Sequence, residues 1–236
     1  MNELTLICAL IIGLSLGIFG SGGAILTLPT LIYFLHLPEK QAVIGSLYIV
    51  ALIALFTAIP HIRSRRVSPR HLFYFALPGL ASSYLGAWSG SVVPSWVQLT
   101  VFVFLMMLAA VKMLLSRPNE EPSLSEATFK LLPVLIAGVL VGFATGFVGV
   151  GGGFLIVPAL FFLTRLPIDR AMATSIVIIF LQSSMGLVAY VQHATDVVKA
   201  LNWSILSLVA VIGVIGAYSG LFIVKKLDQA KLTKGF

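Results

Sequence analysis

Long apolar runs with almost no charge constrain this chain more than any other feature. Four of them, at 42–60, 72–93, 96–115 and 171–191, with a fifth at 201–224, match the roughly 20 residues that a helix needs to cross a bilayer. Water cannot host so much apolar surface. Of 236 residues, 59% are hydrophobic and 10% charged, whereas a soluble domain carries about 25% charged residues. That balance excludes a soluble enzyme, a disordered chain and a secreted disulfide scaffold. The runs are unbroken rather than alternating, so the fold class is all-α integral membrane and not an outer-membrane barrel. Cys8 is the single cysteine, which rules out a disulfide or a cysteine metal site within one chain. The formal charge of +7 then reports topology rather than nucleic-acid binding.

Two further apolar regions are interrupted. Residues 4–19 lead into Gly20-Ser21-Gly22-Gly23 and then 24–37. Residues 131–148 lead into Gly149-Val150-Gly151-Gly152-Gly153 and then 154–166. The pieces after the glycines are short and contain Pro29 and Pro158, so they read as half-helices or re-entrant arms. The start, Met1-Asn2-Glu3, has no basic residue, and no Ala-x-Ala site follows. A cleaved signal peptide is therefore not expected.

The chain repeats itself. Shifted by 129 positions, Gly13, Gly17, Gly20, Gly22 and Gly23 fall on Gly142, Gly146, Gly149, Gly151 and Gly152. Pro29, Pro38, Ala42 and Ser46 fall on Pro158, Pro167, Ala171 and Ser175. With one residue of slack, Gly86-Ala87-Trp88-Ser89-Gly90 meets Gly216-Ala217-Tyr218-Ser219-Gly220. This order of glycines, prolines and serines divides the chain into a first repeat at 1–115, a linker at 116–130 and a second repeat at 131–236.

Charge then orients the repeats. Arg63, Arg65, Arg66 and Arg70 crowd the loop at 61–71, which the positive-inside rule places in the cytoplasm. The matching loop at 192–202 holds only Asp196 and Lys199. Threading outward from the arginine loop brings Arg117, Lys130, Arg165, Arg170, Lys225 and Lys226 inside as well, and makes the linker cytoplasmic. The N-terminus, Lys40 and Lys199 lie outside. The two halves are thus expected to have inverted topology, as in many secondary transporters.

Broken backbone in hydrocarbon is tolerated only where protein covers it or it lines a cavity. Helices starting at Gly22–Ala24 and Gly152–Phe154 would present free N–H groups and positive dipole ends, an anion site that no side chain blocks. Recurrence in both halves favours binding over mere close packing. The candidates are Gly20, Ser21, Gly22, Gly23, Gly149, Gly151, Gly152 and Gly153. Ser46, Thr174 and Ser175 lie about one turn into the following helices. Their hydroxyls either complete such a site or bond back to their own helix. Gln182, Ser183 and Ser184 form the most polar patch within a span, where an amide must face protein. Gln182 either lines a pathway or ties two helices together. By contrast, the Gly-x-x-x-Gly pairs 13/17, 142/146, 86/90 and 216/220 read as close helix crossings.

None of the eight acidic residues falls inside a span, so the usual intramembrane carboxylate relay is absent. His36, His61, His71 and His193 sit near segment ends, where interfacial solvation is expected. A rhomboid-type protease needs Gly-x-Ser-Gly and a deep histidine, but Ser21 follows Phe19-Gly20. The chain also has no His-Glu-x-x-His. No catalytic residue, metal site or cofactor is expected. An intramembrane enzyme and a passive membrane scaffold are the alternatives, and a scaffold has no use for mirrored glycine breaks.

Gly149-Val-Gly-Gly-Gly-Phe-Leu-Ile-Val-Pro158, then Leu166-Pro167 and Ala171-x-x-Thr174-Ser175, resembles the sulfite exporter TauE/SafE family. The first half echoes it as Gly20-Ser-Gly-Gly-Ala-Ile-Leu-Thr-Leu-Pro29, with Pro38, Ala42 and Ser46. The resemblance spans nearly the whole chain. It implies a bacterial-type inner-membrane permease for small sulfur-containing anions such as sulfite or sulfoacetate. Ser21 and Ala24 replace glycines of the fuller motif, which would narrow the first site. The family also ends with one more apolar helix. Only 16 residues follow Gly220 here, and they end in Lys231-Leu-Thr-Lys-Gly-Phe236. A continuing chain or a second subunit in a homo-oligomer is expected to fill that place.

The inverted topology predicts that cysteines introduced as Arg65→Cys and Thr195→Cys are labelled by impermeant maleimide from opposite faces of the membrane. Labelling from one face would contradict it.

Overall fold

A computed structural model describes residues 3–20, 22–115, 131–164 and 166–226. Ser21, the linker at 116–130, Arg165 and the polar stub at the chain end lie outside the described residues. Within them the chain forms α1 (Glu3–Phe19), α2 (Gly22–Tyr33), α3 (Glu39–Arg63), α4 (Pro69–Val92), α5 (Ser95–Leu115), α6 (Leu131–Val148), α7 (Gly153–Thr164), α8 (Ile168–His193), α9 (Thr195–Lys199) and α10 (Trp203–Lys226), with no strand.

Among the described residues, four helices are long and apolar enough to span a membrane: α3, α6, α8 and α10. Helix α4 has 24 residues, but Ser82, Ser83, Gly86, Ser89 and Gly90 dilute its apolar character. Helix α5 has 21 residues and is apolar through Ser95–Val111. Helices α2 and α7 have 12 residues each. At about 1.5 Å per residue they reach roughly 18 Å, too short to cross the ~30 Å core.

Pro38 and Pro167 start the two central helices. Both have φ near −50° and extended ψ, and their carbonyls accept from the N–H groups of Ala42 and Ala171 at 2.9 Å. Proline suits this position because its missing N–H would have no helical partner. The share of the span window buried is 72% in α3 and 67% in α8, against 44% in α6 and 39% in α10. The core is therefore α3 packed on α8, and the other helices form a rim whose exposed Phe73, Leu77, Phe104, Leu132, Leu140 and Phe222 suit lipid.

Contacts at the helix ends fix the directions. Lys40, at the start of α3, donates from Nζ to the carbonyls of Gly90, Ser91 (3.2 Å) and Val93 (2.6 Å) at the end of α4. A cation there satisfies terminal carbonyls and the negative end of the α4 dipole. Ser68, just before α4, donates its N–H to Thr174 Oγ1 at 3.0 Å near the start of α8. Tyr84 OH donates to Gln192 Oε1 at 2.6 Å near the end of α8. Thus α3 and α8 run antiparallel. A cavity of about 260 Å³ is lined by Thr5, Phe34–Leu37, Leu201, Asn202, Ile205 and Leu206. The α1–α2 pair therefore turns back to the end where it began.

The rim helices exchange partners: α1 packs most extensively on α10, and α6 on α4. Small residues permit it. A Cβ placed on Gly142 would strike Gly79, and one on Gly13 would strike Gly213. Gly146 meets Ser83 as Gly17 meets Ala217, and Gly86 meets Phe143 as Gly220 meets Leu14. Against the core, Gly79 abuts Gln182 as Gly213 abuts Ile53. Gly220 therefore takes the place of Gly86. Matching the GA[WY]SG strings pairs Gly86 with Gly216 instead, about one helical turn out of register. Small residues recur every turn along these helices, so sequence alone offers both registers.

A side chain at Gly146 would overlap the Ser83 carbonyl. Gly146→Leu should therefore destabilise the protein by at least the roughly 1–3 kcal/mol of core overpacking. At Gly186 the nearest atoms to a new Cβ are ordinary contacts at 3.4 and 3.5 Å, so Gly186→Ala should be neutral or stabilising by up to about 1 kcal/mol. Thermal unfolding followed by size-exclusion would check both.

Candidate functional site

Helices α1 and α6 each end on a glycine. The N–H of Gly20 reaches Leu16 O at 2.8 Å, and that of Gly149 reaches Thr145 O at 2.9 Å. Both glycines are left-handed, with φ of +68° and +74°. An L residue pays roughly 1–2 kcal/mol there, and a Cβ would also press on Met172 at Gly20 and on Val43 at Gly149. Beyond them the chain turns into α2 and α7. Among the described residues, the N–H groups of Val150–Phe154 meet no backbone carbonyl; the first helical bonds run from Leu155 and Ile156 to Gly152 O. The start of α7 therefore points unbonded donors into the protein interior, where the helix dipole adds a partial positive charge.

The opposite half secures each break. Ser46 of α3 lies within hydrogen-bond reach of Gly149 O and donates to Val43 O of its own helix at 2.8 Å. Ser175 of α8 donates to Gly20 O at 3.1 Å and to Met172 O at 2.8 Å. Each hydroxyl has one proton, and it is shared between carbonyls. In this conformation neither hydroxyl offers a donor to a ligand. Of the two possibilities raised for these serines the backbone one is seen, and the partner is as much the other half's break as the home helix. Thr174 is also committed, donating to Arg170 O at 2.7 Å and accepting from Ser68 N. That holds the arginine loop against the start of α8.

Gln182 and Ser183 are fully buried, and Gln182 Nε2, Gln182 Oε1 and Ser183 Oγ have no hydrogen-bond partner among the described residues. Adjacent on α8, they face different neighbours. Gln182 points between α4 and α6, against Gly79 and near Gly138. Ser183 points at the break, with its Oγ 3.0 Å from where a Cβ of Gly151 would lie. The structure thus gathers Gly149–Gly153, Ser46 and Ser183 around one break, and Gly20 and Ser175 around the other. Gln182 stands behind the first group.

Two features escaped the sequence reading. Gln98 of α5 is buried and donates from Nε2 to Phe147 O at 2.5 Å and to Tyr190 OH at 2.7 Å. Together with Tyr190 OH, at 3.4 Å, it caps a carbonyl at the end of α6 in an apolar setting. The clue was a glutamine in the 96–115 run. His61, expected at the interface, is buried, because α3 continues past it to Arg63. In the arginine loop, burial and then the Arg70 charge hold His71 below the usual imidazole range, so the arginines carry that loop's charge.

Helices broken in the interior, an apolar exterior and polar groups collected at the breaks define a multi-pass membrane protein of the transporter kind. Residues 5–236 match the sulfite exporter TauE/SafE family, and the chain belongs to that family of membrane transporters. It is 32% identical over 224 residues to a probable membrane transporter protein of Xylella fastidiosa strain Temecula1, covering 94% of this chain and 84% of that protein. It is also 28% identical over 200 residues to the probable membrane transporter MJ0441 of Methanocaldococcus jannaschii, covering 82% and 73%. The Bacillus subtilis probable membrane transporter YunE is 27% identical over 215 residues. No solved structure matches the chain significantly.

Proposed function

We propose that the protein moves small sulfur-containing anions, such as sulfite or organosulfonates, across a bacterial-type inner membrane without chemical change. The unbonded N–H groups at the start of α7, inside a membrane-embedded core, carry this reading. They form an anion cradle that needs no cation, and such a cradle suits a solute that must also be released. The family's description supplies the sulfur chemistry. In this reading Gly20–Gly23 and Gly149–Gly153 approach the solute, Ser46 and Ser175 hold the breaks, and Gln182 supports the pathway. The antiparallel run of α3 and α8 and the exchanged packing of α1 and α6 support two inverted halves. The N-terminus is then outside and the loop at 61–71 cytoplasmic.

Reconstituted into liposomes, the protein should give saturable flux of radiolabelled sulfite that small oxyanions compete and alkali cations do not. Imposing a proton or sodium gradient would identify the coupling ion. Flux no greater than in empty liposomes for sulfite and for sulfonates alike would contradict the proposal.

A further inference from the structure

Most buried hydroxyls among the described residues have settled partners. Ser46, Ser82, Thr27, Thr57, Thr145, Thr174 and Ser175 donate to carbonyls of their own helices, and Ser83 donates to Gln182 O at 2.9 Å. Ser183 differs from these. Its Oγ is the one buried hydroxyl oxygen among the described residues that has no partner. A buried polar group without a partner is costly unless something else satisfies it. Gly151 has no side chain, so this hydroxyl lies close to the backbone at the start of α7, with Val50 Cγ1 packed on the same position.

The matching position in the other half has no such group. By the 129-residue shift, Ser183 corresponds to Ala54 and Gln182 to Ile53. Ala54 and Ile53 are buried in the apolar core, and Gly213 there packs on the Ile53 side chain. Both halves have a left-handed glycine break and a serine holding it, but among the described residues an uncommitted side-chain donor stands on the central helix of only one.

Building on the proposed anion transport, we infer that each chain holds a single solute site, at the start of α7, and that Ser183 is its side-chain donor. Its hydroxyl and the N–H groups of Gly151–Phe154 together bind one small oxyanion. The α1–α2 break is a structural counterpart without a solute of its own. Every donor is neutral, so the site favours a compact anion of low charge over one that requires a guanidinium or ammonium partner.

Sulfite flux in liposomes containing the wild type, Ser183→Ala and Ala54→Ser tests this. Ser183→Ala should raise KM for sulfite about tenfold, the effect of losing one hydrogen bond to a charged group. Its maximal flux, expression and size-exclusion profile should remain near wild type. Ala54→Ser should leave KM within twofold of wild type. Wild-type flux with an unchanged KM in Ser183→Ala would overturn the inference while leaving anion transport standing, as would a tenfold shift in KM from Ala54→Ser. If wild-type liposomes carry no sulfur anion, the transport reading and this inference both fall.

Discussion

Backbone polar groups have nowhere to go in hydrocarbon except to other protein groups, and two helices of this protein stop inside it. The rest of the structure depends on how those two breaks are covered. A left-handed glycine ends each first helix, and a short helix leads the chain back. A serine from the opposite half then receives the exposed carbonyl, Ser46 at Gly149 and Ser175 at Gly20. Neither half can satisfy its own break. The same reciprocity governs the rim, where α1 needs α10 and α6 needs α4, and where glycines let the backbones approach.

In the proposed reading, function arises where this mutual satisfaction is incomplete. Carbonyl ends are capped by serines and, beyond Phe147, by Gln98. The N–H ends at α7 have no backbone partner, and Ser183 beside them also has none. Donors without partners in an apolar core are unfavourable for the empty protein, roughly 1–3 kcal/mol for each unsatisfied group. In the proposed reading a bound anion relieves that cost. The proposed site belongs to one half because Ser183 and Gln182 stand where the other half has Ala54 and Ile53.

Much of the fold was legible in the sequence, because bilayer thickness sets helix length and glycine marks the places where helices cannot continue. The breaks at Gly20 and Gly149, the short helices after them and the close-packing role of the Gly-x-x-x-Gly pairs follow from such local constraints. Partner choice does not. A stripe of small residues shows that something approaches, but not which helix or in which register. The GA[WY]SG strings consequently suggested an alignment one turn away from the packing seen at Gly220 and Gly86. The serines were ambiguous for a related reason. Ser46, Ser175 and Ser183 are the same residue type on equivalent central helices. Only the three-dimensional surroundings show that two are committed to carbonyls and one is not.

Interdependence of the halves is the central claim, and expressing them as separate chains tests it most directly. Residues 1–115 and 116–236, produced together with a tag on one, should co-purify as a single monodisperse complex. Either half produced alone should be degraded or aggregate. A half that purifies alone as a folded, monodisperse monomer would contradict the account, because its break and its rim helices would then be satisfied without the other half.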